Sequence, residues 1–93
     1  MNALQLTTLD RVILGALHAD RGIRAQAVAH ALERHLRRRT WLPERGVVRP
    51  ETAAEAHRTL TGAEHLGLCE CRNGYWRITT AGQRALQTRS VPA

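Results

Sequence analysis

The stretch Leu68-Cys69-Glu70-Cys71-Arg72-Asn73-Gly74-Tyr75-Trp76-Arg77-Ile78-Thr79 decides the fold. Asn-Gly between two strand-like runs is the strongest short-range hairpin signal, because a two-residue type I′ turn needs positive φ at both central residues. Pairing outward from that turn sets Arg72 opposite Tyr75, Cys71 opposite Trp76, Glu70 opposite Arg77 and Cys69 opposite Ile78. Successive side chains leave a strand on opposite faces, so this register gathers Cys69, Cys71, Trp76 and Ile78 on one core face. Glu70, Arg72, Tyr75 and Arg77 take the wet face, with an opposite-charge pair across it.

Helical periodicity precedes the hairpin. Leu9, Val12, Ile13, Ala16 and Leu17 recur at helical spacing, predicting an amphipathic helix from about Leu9 to His18. Thr7 followed by Asp10 forms a capping-box pattern at its start, and Asp20-Arg21-Gly22 supplies a turn after it. A second helix is predicted from about Arg24 to Arg39. It carries Ala25, Val28, Ala29, Leu32 and Leu36 inward and Gln26, His30, Glu33, Arg34 and Arg37 outward. Arg37, Arg38 and Arg39 suit the negative end of that helix, whether solvated or set against phosphate. Thr40 to Pro50 reads as a loop, with Trp41 and Leu42 as anchors folding it onto the core or as a stacking platform. Pro50 suits a first helical turn, and a third helix follows from about Glu51 to His65. Ala53, Ala56, Leu60 and Ala63 face inward there, Thr52, Glu55, Arg58, Thr59 and Gly62 lie outside or at the boundary, and Gly67 stops the helix. Thr80 with Gln83 repeats the capping-box pattern before a short helix from Ala81 to about Gln87.

Composition bounds what such a chain does. Its 93 residues fit one domain, expected over 7–88 between an N-terminal tail at 1–6 and a C-terminal tail at 89–93. An apolar fraction of 43% with 24% charged residues is that of a folding globular chain. No run approaches a membrane span and the first ten residues lack a secretion-signal layout, so the expected location is the cytoplasm. Fourteen basic against eight acidic side chains give +6, and every basic residue is Arg. That bias accords with a GC-rich genome; physically, guanidinium keeps its charge and forks onto phosphate or guanine, which favours a polyanionic partner.

Catalytic and metal chemistry find little support. Cys69 and Cys71 with His65 or His57 are the one candidate metal set, but the hairpin register explains both cysteines as small core residues. Phosphate-loop, His-Glu-x-x-His and paired-carboxylate patterns do not occur, so neither an enzyme nor a cofactor is expected.

The order of three helices, a tight hairpin and a short helix gives a mainly α chain with a small β-hairpin. From Leu60 it reads Leu-x-x-Ala-Glu-x-x-Gly-Leu, and from Tyr75 it reads Tyr-Trp-Arg-Ile-Thr-Thr-Ala-Gly-Gln-Arg-Ala-Leu. These motifs, with Arg49-Pro50-Glu51-Thr52 ahead of the third helix, resemble the winged helix-turn-helix of PadR- and MarR-type bacterial transcriptional regulators. The resemblance spans about Thr7 to Leu86. It implies three helices, a two-stranded wing and a short C-terminal helix, with the third helix in a DNA major groove. The residues it assigns to DNA are Thr52, Glu55, His57, Arg58 and Thr59 on that helix, and Arg72, Asn73 and Arg77 on the wing.

The leading expectation is therefore sequence-specific binding of double-stranded DNA by a small bacterial or phage regulator, with a homodimer left open. A rival is a protein-interaction module on the same fold, such as a phage-encoded inhibitor or an adaptor docking on a host protein complex. Glu51 and Glu55 at the start of the third helix and the two-residue wing tip favour that rival; the +6 charge disfavours it. RNA binding is weaker still, since Trp41, Trp76 and Tyr75 are the only aromatic rings besides histidine.

Overall fold

The computed structural model describes residues 6–37 and 48–87. Trp41, Leu42, most of the Thr40–Pro50 loop, Arg38 and Arg39 at the expected end of the second helix, and both expected tails beyond those bounds lie outside the described residues.

The first helix, α1 (Thr8–Gly15), starts where the capping pattern placed it. The Thr7 side chain accepts from the Asp10 amide, and the Thr7 amide donates to the Asp10 carboxylate, both at 3.0 Å. The helix stops at Gly15, earlier than its periodicity suggested, and His18 then ties the following segment to the sheet by accepting from the Ile78 amide at 3.1 Å.

The structure holds a strand that the sequence reading missed. β1 (Ile23–Arg24) follows the Asp20-Arg21-Gly22 turn and takes Arg24 from the expected start of the second helix, and α2 (Ala25–Arg37) begins directly after it. Two residues are too few to leave a visible period of two in a sequence. The third helix, α3 (Pro50–His65), has Pro at its first turn. Gly67 closes it at φ 76°, with the Leu68 amide donating to the Ala63 carbonyl and the Gly67 amide to that of Glu64. This is a Schellman ending: it satisfies two orphan carbonyls and turns the chain into β2 (Cys69–Arg72).

β2 pairs antiparallel with β3 (Tyr75–Ile78) in the register read from the sequence, and Asn73 and Gly74 both adopt positive φ. β1 adds to the other side of β3, so the two-stranded wing is one part of a three-stranded antiparallel sheet in the order β1-β3-β2. The last helix, α4 (Thr80–Gln87), is capped by Thr79 rather than Thr80. The Thr79 hydroxyl donates to the Gly67 carbonyl at 2.6 Å and accepts from the Gly82 amide at 3.1 Å, holding helix start and hairpin entry together.

One core joins these elements. Ile13, Leu14 and Leu17 meet Val28, Ala29 and Leu32 from α2, Ala56, Leu60 and Ala63 from α3, and Leu68, Cys69, Trp76 and Ile78 from the hairpin. Two assignments need correction. Glu33, expected outside, is only 3% exposed, and Thr52, expected at a DNA surface, is only 2% exposed. Both are polar, and periodicity alone sends a polar side chain outward. They face each other across the α2–α3 contact, where the Glu33 charge is matched by Arg49. No helix among the described residues is long and apolar enough to cross a membrane.

Candidate nucleic-acid interface

A carboxylate on α2 fixes the start of α3. Arg49, its N-cap, lacks a capping side chain of its own. Glu33 on α2 supplies the acceptor instead: Oε1 takes the Arg49 backbone N–H at 3.0 Å and Nε at 3.2 Å, and Oε2 takes Nη2 at 2.9 Å. Hydrogen bonds from the Arg49 guanidinium outweigh burial and hold the Glu33 carboxyl down at about 2, below its usual 4.5. The Thr52 hydroxyl adds to that lowering without the geometry of a full hydrogen bond. The same pairing raises the Arg49 guanidinium above its ordinary value.

With Thr52 inside, the outward face of α3 is carried by the other residues predicted for it. His57 and Arg58 are exposed, and Glu55 and Thr59 are half-buried. Arg58 Nη1 lies 2.8 Å from Glu55 Oε2 one turn earlier. Arg58 is 74% exposed, and an exposed pair of this kind is worth about 0.2–1 kcal/mol, so the guanidinium exchanges its partner readily.

A second set lies on the outer face of the sheet. Arg72, Asn73 and Arg77 line one hollow of about 290 Å³ with Gly22, Glu70 and Tyr75. The structure thus brings the three wing residues together with Tyr75, expected on the same face, and it adds Arg24 and Gly22, which the sequence reading did not place there. Arg24, opposite Tyr75 in the β1–β3 register, sets its guanidinium carbon 5.2 Å from the Tyr75 ring centroid and donates from Nη2 to the Tyr75 hydroxyl at 3.3 Å. Gly22 admits the ring, since a Cβ there would stand 2.6 Å from Tyr75 Cβ. The signal for both was the length of β1, which sequence periodicity does not resolve. Among the described residues the outer face therefore carries Arg24, Arg72 and Arg77 with the acid Glu70.

The cysteines belong elsewhere. Cys69 is buried and its thiol donates to the Leu60 carbonyl; burial, with Glu64 and Cys71 nearby, raises it from 9.0 to about 11. A thiol so disposed is a poor nucleophile at neutral pH. Among the described residues no three His, Cys, Asp or Glu side chains converge to hold a metal. No family model, curated protein or solved structure matches the chain.

Proposed function

We propose that the chain is a winged helix-turn-helix protein that binds double-stranded DNA, as a transcriptional regulator does. In this reading α3 enters the major groove with Glu55, His57, Arg58 and Thr59 toward base edges, and Arg72, Asn73 and Arg77 lie along flanking phosphates. Thr52 takes no part, being buried. The observation that carries the proposal is the order helix, strand, helix, helix, hairpin, in which a helix exposing Arg58 and His57 runs through one tight turn into a ribbon with an arginine-bearing outer face. Arg24 and Tyr75 extend that face with a cation held over a ring.

Fluorescence anisotropy on a randomised duplex pool over a salt series tests this. Binding should weaken steeply with salt, because each phosphate neutralised releases counterions. No binding at low salt, or a response indifferent to salt, removes the reading.

One observation favours a second reading, a protein-docking surface on the same face. The Glu55–Arg58 pair and exposed Glu51 place two carboxylates at the start of α3, where phosphates would approach. A protein retained by the immobilised chain from nuclease-treated lysate, and lost on Arg58→Glu, would support it over DNA.

A further inference from the structure

We propose that the groove between α1 and α2 is a docking site for an acidic amphipathic helix of a partner protein. The groove holds about 740 Å³ and draws none of its lining from α3 or the β2–β3 hairpin, so it stands apart from the DNA reading. Its floor is apolar: Val12 on α1 and Ala16 at its C-cap, Ala27 and Ala31 on α2, and Ile23 on β1. On each helix these residues form an i, i+4 stripe adjacent to, and distinct from, the stripe that builds the core. The core residues are Ile13 and Leu14 on α1, Leu17 just beyond its end, and Val28, Ala29 and Leu32 on α2. Val12 and Ile23 also pack in part against the core, Ala16 and Ala31 are half-buried and Ala27 is exposed, so the described residues cover this second row only partly.

The rim decides what fits. Arg11, Arg21, Arg34, His18 and His35 surround the floor, and no Asp or Glu is among the lining residues. Arg11 is steadied by donating to the Leu86 carbonyl at 3.2 Å, and Arg21 Nη2 lies 3.3 Å from His18 Nε2. A nucleic acid would satisfy the rim and leave the floor wet. An acidic helix satisfies both, laying apolar residues at i, i+3, i+4 and i+7 between the two helices with its carboxylates on the guanidinium groups. α1 has 8 residues, about 12 Å of length, so the groove accommodates roughly two turns of such a helix. The small side chains of the floor let its backbone approach closely.

The test is a two-dimensional amide NMR titration of the 15N-labelled chain. The probe is a synthetic 15-residue peptide with leucines at helical spacing and glutamates flanking them; the control is a scrambled peptide of the same composition. Saturable shifts should centre on Val12, Ala16, Ile23, Ala27 and Ala31, with the scrambled peptide at least tenfold weaker. Arg21→Glu/Arg34→Glu should weaken binding at least tenfold. Ala27→Glu, an exposed floor position, should do the same in a variant whose spectrum is otherwise unchanged. Equal binding of the scrambled peptide overturns the proposal. So does a duplex DNA that shifts the same amides and displaces the peptide, or a dimer of the free chain that Arg34→Glu dissociates.

Discussion

Glu33 and Arg49 are joined by three N–H donations from one residue to one carboxylate, linking the body of α2 to the N-cap of α3. The pair ties the start of α3, the helix that presents Arg58 and His57, to α2. A carboxylate 3% exposed needs that partner. Arg49→Ala should cost about 2–4 kcal/mol, discounted from the usual cost of unpairing a buried charge because water reaches the Arg49 side. Glu33→Gln, which keeps the shape, should cost about 1–2 kcal/mol, and the double variant should cost less than the sum. Thermal melts followed by circular dichroism measure all three. Additive losses would mean that the two residues are not coupled.

The same pair gives stability a dependence on acid. The folded Glu33 carboxyl titrates at about 2, below the ordinary 4.5. A group whose pKa is depressed by folding contributes fully above the unfolded value, and the contribution is lost as pH falls through the folded one. Arg49 is 44% exposed, so solvent screening reduces the effect to on the order of 1–2 kcal/mol. Urea midpoints taken from pH 6.5 down to pH 2.5 should therefore fall more for the parent chain than for Glu33→Gln, the divergence opening below about pH 4.5. Parallel curves would contradict the assignment.

Two helical glycines should respond to alanine with opposite sign. Gly82 in α4 lies against the hairpin exit, where a Cβ would run into the Leu68 carbonyl and stand 2.7 Å from Ile78 Cγ1. A backbone carbonyl cannot swing aside as a side chain does, so Gly82→Ala should lose about 2 kcal/mol or more despite its better helix propensity. Gly62 in α3 has nothing within 4 Å of its would-be Cβ, and Gly62→Ala should gain about 0.4–1 kcal/mol. Urea unfolding of both variants checks the contrast. A stabilised Gly82→Ala would show that α4 does not sit on the hairpin.

Cys69 and Cys71 are separated by one residue and should differ in reactivity. Cys69 is buried with its thiol pushed up to about 11, whereas Cys71 is half-buried. At pH 8 a disulfide-exchange reagent should modify Cys71 first and reach Cys69 only as the chain unfolds. Mass spectrometry of the singly labelled species identifies the site, and equal labelling would place Cys69 outside the core.

The hairpin was legible to the residue because Asn73-Gly74 fixes a turn type, the turn type fixes register, and register sorts every side chain to a face. The Thr7–Asp10 cap and the Gly67 stop were legible for the same reason: each is a short-range geometry with a residue signature. What escaped depended on distance along the chain. Glu33 and Arg49 are sixteen positions apart, and periodicity alone sends a glutamate outward. Arg24 and Tyr75 are fifty-one apart, joined by a strand of two residues. Of the expected DNA surface, His57, Arg58, Arg72, Asn73 and Arg77 are exposed as read. Thr52 was lost because it shares the α3 turn that packs toward Glu33.

The DNA reading separates two kinds of arginine. Arg58 on α3 is the candidate for a fork onto guanine, whereas Arg72 and Arg77 lie on the outer face of the hairpin. A base contact carries sequence information, and a phosphate contact carries only charge. Arg58→Ala should therefore narrow the gap between preferred and random duplexes by about 1–3 kcal/mol while changing the salt slope little. Arg72→Ala and Arg77→Ala should weaken all sequences alike, each lowering the slope of log affinity against log salt by about one. Arg24→Ala adds an internal check: it removes the cation held over Tyr75 and should behave as the hairpin variants do, not as Arg58→Ala does. Anisotropy titrations at four salt concentrations, run on one selected and one scrambled duplex, distinguish the two patterns. If Arg58→Ala and Arg72→Ala gave the same loss on both duplexes, α3 would not be reading bases and its assignment to the major groove would fall.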